Sequence, residues 1–238
     1  MQLHFSHFVK APCSQEVADQ LNHLPSFPGS QYCCLSGPSR SGRTTALLQL
    51  ASSFLGEGFS VLFVCRQDLL EQAAACFPEH YLNSQHNLAS LPVRYLATFA
   101  DLRKLAACLH LLPQRLDALL IDDFGAFAGE SQHDRRPQDS SEMMRTLAHL
   151  HEAVRQQGQD CHLILAGNQA EKTGHLIQRW MPIMISLQVT GWSTARLTAL
   201  VCAPYTLWTQ HTCRCLEMRS RVDSSLAGLD ASEAGWEA

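Results

Sequence analysis

The sequence has no excess of basic residues. It contains 18 Lys and Arg against 22 Asp and Glu, which gives a formal net charge of −4 at pH 7. Proteins that bind nucleic acid through their overall field carry a clear basic excess. The charge balance therefore excludes a global basic signature, and any contact with nucleic acid has to come from a local cluster of Arg and Lys.

The sequence also lacks the segments that target a chain to membranes or to export. It contains no apolar run as long as the ~20 residues that a transmembrane helix needs. The first residues, from Met1 to His7, lack a basic region followed by an apolar stretch. We therefore expect no secretory signal and no membrane partner.

The ten cysteines have neither the paired spacing of a zinc site nor the density of a disulfide scaffold. Many of them fall in segments that we predict as strands or helices. We interpret these as small buried apolar residues in a reducing compartment. They are Cys33, Cys34, Cys65, Cys108, Cys161 and Cys202.

A phosphate-binding loop is predicted between a short apolar strand and a helix. It fits the pattern G-x-x-x-x-G-K-[ST] at every position but one, where Arg43 replaces the lysine. The helix continues from Thr45, which is also a candidate nucleotide-binding residue. The loop consists of Gly37, Pro38, Ser39, Arg40, Ser41, Gly42, Arg43 and Thr44.

The chemistry of this loop points to ATP and Mg²⁺. Its glycines let backbone N–H groups turn toward phosphate oxygens, and the helix N-terminus adds partial positive charge. Thr44 offers a hydroxyl to Mg²⁺. Arg43 keeps the positive charge, but its planar guanidinium differs in shape from a compact ammonium. We expect nucleotide binding with slow hydrolysis; the alternative is a glycine-rich turn that only caps a helix.

Two further strand ends carry polar residues that suit a nucleotide site. Asp122 follows the apolar run Ala118–Ile121 and is the candidate Mg²⁺ carboxylate, while Asp123 either orients a water or caps the next turn. Asn168 and Gln169 follow another apolar strand. Their amides are the candidate sensor of the γ-phosphate, and the alternative is a polar strand end that enters a turn.

Strands alternate with helices along most of the chain, which predicts an α/β fold with a mostly parallel sheet flanked by helices. Three C-terminal strands, near 184–190, 196–202 and 207–215, are expected to be antiparallel. We divide the chain into an N-terminal extension (1–30), an ATP-binding domain (31–222) and a disordered acidic tail (223–238).

The loop and the two strand ends together resemble the RecA/recombinase core, over about residues 31–205. Within that family the chain is similar to the small recombinase paralogues that partner a SWIM-domain zinc protein in the animal Shu complex. The short chain, the lack of an N-terminal helical DNA-binding domain and the stretch Gly158–Leu163 carry this likeness. The resemblance implies a RecA-like P-loop NTPase core in a nuclear, ATP-binding accessory subunit of homologous-recombination repair. Its implied partners are the SWIM-domain protein, a recombinase and single-stranded DNA.

The chain departs from that family at the residue that activates water. The hydrolytic glutamate of the family matches Gln67 here, and an amide cannot act as a general base. Asp68 or Glu71 could substitute, but the sequence does not place them. The resemblance keeps Gln169 as the sensor and implies a weak ATPase.

Contacts with DNA and with a partner rest on short motifs. Arg135 and Arg136, in a predicted loop over 125–141, and Lys172 are the DNA candidates, although a solvated loop explains them nearly as well. The pattern F-x-x-A from Phe8 to Ala11 is a candidate for docking onto a recombinase. Its alternative is Phe8 packing on its own domain.

Two other classes of function stay open. A small P-loop kinase would need an arginine-bearing lid, for which the pair at 135–136 is the candidate. A nucleotide-free scaffold would carry the loop as a vestige. Direct ATP binding separates the scaffold from both ATP-dependent hypotheses.

Overall fold

The computed structural model describes residues 31–74, 90–128, 137–158, 160–168, 177, 180–189, 195–203 and 206–213. The strands are β1 (Tyr32–Ser36), β2 (Val61–Cys65), β3 (Val93–Tyr95), β4 (Ala118–Ile121), β5 (His162–Gly167), β6 (Ile183–Val189), β7 (Ala195–Ala203) and β8 (Thr206–Cys213). The helices are α1 (Arg43–Gly56), α2 (Gln67–Ala74), α3 (Phe99–Cys108) and α4 (Pro137–Gln157), with 3-10 turns at Leu109–Leu111 and Phe124–Ala128. The predicted extension (1–30) and tail (223–238) lie outside the described residues.

The strands form one sheet in the order β3-β2-β4-β5-β1-β6-β7-β8. The six strands from β3 to β6 in this order are parallel to one another. Their carboxyl ends therefore lie along one edge of the sheet. The loop after β1, the acidic end of β4 and the polar end of β5 share this edge, where ligands bind in open α/β sheets.

Helices cover both faces of the sheet. In β4, Ala118 and Leu120 pack in the apolar cluster that includes α1, while Leu119 and Ile121 pack in the cluster that includes α3 and α4. All four side chains are buried. Burying one Leu or Ile contributes roughly 1.5–3 kcal/mol to folding. The predicted α/β class, with a mostly parallel sheet between helical layers, is confirmed.

The direction of β6 differs from the prediction. We expected the last three strands to be antiparallel, yet β6 pairs with β1 in parallel, and only the β6–β7 and β7–β8 pairs are antiparallel. A parallel pair needs a connection of a dozen or more residues. The segment between β5 and β6 has that length, so the chain can return to the other edge before it starts β6.

Two helix starts follow from their local sequence. Thr98 precedes α3, and its hydroxyl caps the helix by accepting a 3.2 Å hydrogen bond from the backbone N–H of Asp101. The predicted loop over 125–141 is wrong at both of its ends. The turn Phe124–Ala128 is helical, and α4 begins at Pro137, because proline is well suited to the first position of a helix.

Four of the predicted buried cysteines are buried and free of disulfides: Cys33, Cys34, Cys65 and Cys161. Burial raises the pKa of Cys34 to about 12, although the positive charge of Arg43 opposes the shift. These thiols are therefore neutral and unreactive. Cys108 is exposed, contrary to the prediction, because it lies at the end of α3, and the side chain of Cys202 lies outside the described set. No helix among the described residues is long and apolar enough to cross a membrane.

Candidate nucleotide-binding site

The loop between β1 and α1 has the backbone that phosphate binding requires. Gly42, directly before α1, has a φ of 86°, and Arg40 has a φ of 61°. Glycine adopts this left-handed conformation without steric cost. Alternation of left- and right-handed residues turns successive N–H groups toward one point, which forms an anion-binding concavity. The chain then enters α1, where the N–H of Ala46 bonds to the carbonyl of Gly42 at 2.9 Å.

Position 37 requires glycine because neighbouring atoms lie too close to leave room for a Cβ atom. A Cβ atom at this position would lie 2.5 Å from Oγ of Ser41 and 2.8 Å from the carbonyl oxygen of Leu187 in β6. The N–H of Gly37 bonds to the carbonyl of Gly167 at 3.3 Å, which ties the loop to the end of β5. The loop is therefore packed against both strands that flank β1.

Thr44 and Asp122 meet across the site. The hydroxyl of Thr44 donates a 2.7 Å hydrogen bond to Oδ2 of Asp122. Asp122 is 4% exposed, and burial raises the pKa of its carboxyl to about 6, with a smaller upward effect from Asp123. The hydrogen bond from Thr44 and the charge of Arg43 act in the opposite direction. A hydroxyl and a buried carboxylate in contact are the oxygen ligands that Mg²⁺ takes beside phosphates.

Arg43 pairs with the second acidic residue. Its Nη2 lies 3.7 Å from Oδ1 of Asp123, and the two side chains are 11% and 31% exposed. The backbone of Asp123 has a φ of 46°, a left-handed conformation that Asp tolerates better than most residues. The turn places this carboxylate beside the phosphate loop.

Polar atoms in the loop fit a bound triphosphate. Oγ of Ser41 and Nη1 of Arg43 are buried and have no hydrogen-bond partner among the described residues. Leaving such donors unpaired costs roughly 1–3 kcal/mol each, so phosphate oxygens or ordered waters would satisfy them. Together with the crowded Gly37, these donors fit ATP, and Thr44 with Asp122 fits Mg²⁺.

Metal binding by protein ligands alone has no support in the described part of the chain. No group of three or more His, Cys, Asp or Glu there could hold a metal ion. Mg²⁺ is typically bound by one or two carboxylates together with substrate phosphates and water. The predicted Mg²⁺ site at Thr44 and Asp122 agrees with that pattern.

The sensor prediction is partly within the described residues. Asn168 directly follows β5 and is half-buried at the edge that carries the phosphate loop. Gln169 lies outside the described residues. The end of β5 therefore reaches the site through Gly167 and Gly37, and the contact of an amide with the nucleotide stays a prediction.

The structure places Gln67 on the exposed start of α2. Its Nε2 donates a 2.9 Å hydrogen bond to Oε1 of Glu71. The guanidinium of Arg66 is engaged nearby: Nε and Nη2 bind the two oxygens of Asp68, and Nη1 binds the carbonyl of Ala126 at 3.2 Å. Asp68 and Glu71, the substitutes that the sequence left open, are thus engaged on α2.

Asp123 is the acidic residue that sequence reasoning weighted too little. The pattern of an apolar strand followed by two Asp residues was its only signal. The other candidates lie outside the described residues: Arg135, Arg136, Lys172, Phe8 and Ala11.

A family model corrects the resemblance drawn from the sequence. The model for the ATPase family associated with various cellular activities (AAA) matches residues 33–188, which is more than half of the chain. This family is a different P-loop family from the recombinases, so the assignment to the RecA/recombinase family and to a Shu-complex paralogue is wrong. The phosphate loop and the acidic strand end are shared by P-loop NTPases in general and could not separate the two.

The comparison with curated proteins finds no match. The matched region begins in β1 and ends in β6, so it contains the phosphate loop, Asp122 and Asn168. The geometry of the site agrees with a P-loop NTPase, and the matched region gives the family. The chain belongs to the AAA family of ATPases.

Proposed function

We propose that this protein is a nucleotide-dependent switch that binds ATP with Mg²⁺ and hydrolyses it slowly. The contact between Thr44 and Asp122 carries the proposal, because it joins the phosphate loop to the candidate Mg²⁺ carboxylate. Membership of an ATPase family supports nucleotide binding. The arginine in the loop supports the slow rate, because a guanidinium cannot reproduce the geometry of the lysine ammonium.

Asp123 is the carboxylate best placed to orient the attacking water. It follows Asp122 directly and lies beside Arg43, whereas Gln67 lies on α2 in contact with Glu71. A carboxylate can accept a proton, but an amide has no useful pKa near neutrality. The site thus keeps the parts of an ATPase, and Arg43 in the lysine position favours a long-lived ATP-bound state.

The proposal is tested by measuring binding and turnover on the same sample. A fluorescent ATP analogue is titrated with excess Mg²⁺, and phosphate release is then followed. We expect saturable binding with turnover below the ~1 s⁻¹ that marks the low end of ordinary kcat values. Absence of binding to the folded protein would favour the scaffold hypothesis.

Two threonine variants provide the matched control. Thr44→Val removes the hydroxyl that contacts Asp122 and should abolish Mg²⁺-dependent binding. Thr98→Val removes the hydroxyl that caps α3, far along the chain from the loop, and costs about 1 kcal/mol of stability. Binding that survives both variants equally would contradict the assigned site.

Recombination repair is not part of this proposal, because it came only with the resemblance that the AAA match replaces. Contact with single-stranded DNA, partner proteins and a nuclear location stay predictions.

The DNA prediction rests on Arg135, Arg136 and Lys172. Each of these side chains that binds a DNA phosphate should add roughly 0.7 to the log–log salt dependence of binding, so replacing it with alanine should flatten the slope by that amount.

A further inference from the structure

The side chain of Arg43 holds the carboxylate that we assign to the attacking water. Nη2 of Arg43 lies 3.7 Å from Oδ1 of Asp123. Because the arginine side chain is only 11% exposed, solvent screens this pair less than an ion pair on the surface. The pair therefore constrains the direction in which the Asp123 carboxylate can point.

The other terminal nitrogen of the same guanidinium is still available. Nη1 of Arg43 is buried and has no hydrogen-bond partner among the described residues. The guanidinium is planar and presents its donors as a rigid fork. One nitrogen can thus bind a phosphate oxygen while the other keeps the carboxylate, which the single nitrogen of a lysine cannot do with the same geometry.

The backbone of Asp123 is held in a tight turn beside the phosphate loop. The residue has a φ of 46°, and its carbonyl accepts a 2.8 Å hydrogen bond from the N–H of Ala126. This turn follows directly from Asp122, which is fixed by Thr44. The carboxylate of Asp123 therefore stays within reach of Arg43.

We propose that Arg43 is a restraining residue, which binds the nucleotide phosphate and Asp123 together and so keeps the ATPase slow. The inference rests on the proposed function and adds the regulation of its site.

In hydrolysis the water oxygen bonds to the γ-phosphorus and the bond to the β–γ bridging oxygen breaks. Asp123 accepts a proton from the water and returns it to the phosphate product. The ion pair with Arg43 holds the Asp123 carboxylate away from the orientation in which it can take that proton.

A four-protein cycle tests this restraint: the wild type, Arg43→Lys, Asp123→Asn and the double variant. A free general base contributes roughly 10²–10⁴ in rate, so partial release in Arg43→Lys should raise kcat about tenfold or more. In the wild type, Asp123→Asn should lower kcat several-fold, because the restrained carboxylate still contributes to the slow turnover. In the Arg43→Lys background the same change should remove the whole gain, which is a non-additive result.

Three controls make the outcome specific. Asn tolerates a positive φ as Asp does, so Asp123→Asn keeps the turn. Melting temperatures verify folding, and the Kd of the fluorescent ATP analogue separates binding from kcat. If Arg43→Lys does not raise kcat, or if the two changes are additive, the restraint is overturned while the proposed function stands. If the wild type binds no nucleotide, both are overturned.

Discussion

The hydroxyl of Thr44 donates a 2.7 Å hydrogen bond to Oδ2 of Asp122, across 78 residues of sequence. The two residues follow β1 and β4, which are not neighbours, because β5 lies between them. Their contact shows that the acidic end of β4 reaches over β5 to the phosphate loop. Substitutions at this contact should therefore act directly on the binding of nucleotide and metal.

Asp122→Asn should weaken Mg²⁺–ATP binding by at least about tenfold. Mutating the groups around a bound metal typically lowers metal affinity by about 10- to 100-fold. The amide keeps an acceptor for Thr44 but removes the negative charge that attracts Mg²⁺. Titration with the fluorescent ATP analogue measures the effect.

Asp117→Asn is the matched control for that variant, because Asp117 lies at the other end of β4. Its Oδ2 accepts a 2.8 Å hydrogen bond from the N–H of Ser60. The control should lower stability without changing ATP binding. An equal loss of binding in both variants would mean that Asp122 acts only through the fold.

The raised pKa of Asp122 predicts how Mg²⁺ changes stability with pH. Its folded pKa of about 6 exceeds the ordinary value of 3.8, so the folded state binds the proton more tightly than the unfolded state. Stability without Mg²⁺ should therefore fall as pH rises from about 4 to 6, by about 3 kcal/mol for this group. Excess Mg²⁺ together with ATP should offset the loss only where the carboxyl is ionised.

Melting temperatures at pH 5 and pH 7.5 measure this effect. With ATP present, we expect Mg²⁺ to raise the melting temperature at pH 7.5 and to leave it nearly unchanged at pH 5. In Asp122→Asn the effect of Mg²⁺ should disappear, and the variant should melt above the metal-free wild type at pH 7.5. An equal effect of Mg²⁺ in the wild type and the variant would place the metal elsewhere.

His151 should have the opposite pH dependence. Burial lowers the pKa of His151 to about 4, and its ring stacks on Tyr32 with centroids 3.8 Å apart. Its protonation favours the unfolded state, so this contribution to stability is lost as pH falls from 6.5 to 4. His151→Phe keeps an aromatic ring and should flatten that part of the stability curve. A curve with an unchanged slope would show that another group titrates.

Gly37→Ala should disturb the loop, whereas Gly167→Ala should not. The two glycines are hydrogen-bonded neighbours, but a Cβ on Gly37 would meet Leu187 and Ser41, while a Cβ on Gly167 has no atom within 4 Å. Overpacking of this kind costs roughly 1–3 kcal/mol. Urea unfolding of both variants measures the difference. Equal stability of the two variants would mean that β6 shifts at Leu187 to make room for the added Cβ atom.

Part of the site could be predicted from the sequence, because the residue spacing of a phosphate loop occurs together with a strand–loop–helix geometry. The roles of Thr44 and Asp122 could be assigned for that reason. The pairing of Arg43 with Asp123 could not, because it depends on a left-handed φ at Asp123 and on the direction of a long side chain. Neither property has a sequence signal at a non-glycine residue.

Prediction of the sheet topology and of the family from the sequence was limited for similar reasons. Buried strands such as β4 were clear, because a short apolar run with both faces covered is distinctive. The direction of β6 was not, since it depends on the path of the long connection before it. The family was misassigned because the elements around Asp122 and Asn168 occur in several classes of P-loop protein.

Calorimetric titration of ATP into the protein, with and without Mg²⁺, tests the central claim most directly. We predict one site with a Kd below about 1 mM in the presence of Mg²⁺, which corresponds to at least ~4 kcal/mol. Binding should weaken without the metal and in Thr44→Val. Absence of any binding heat at millimolar ATP, with a protein shown to be folded and to hold no nucleotide beforehand, would contradict the account.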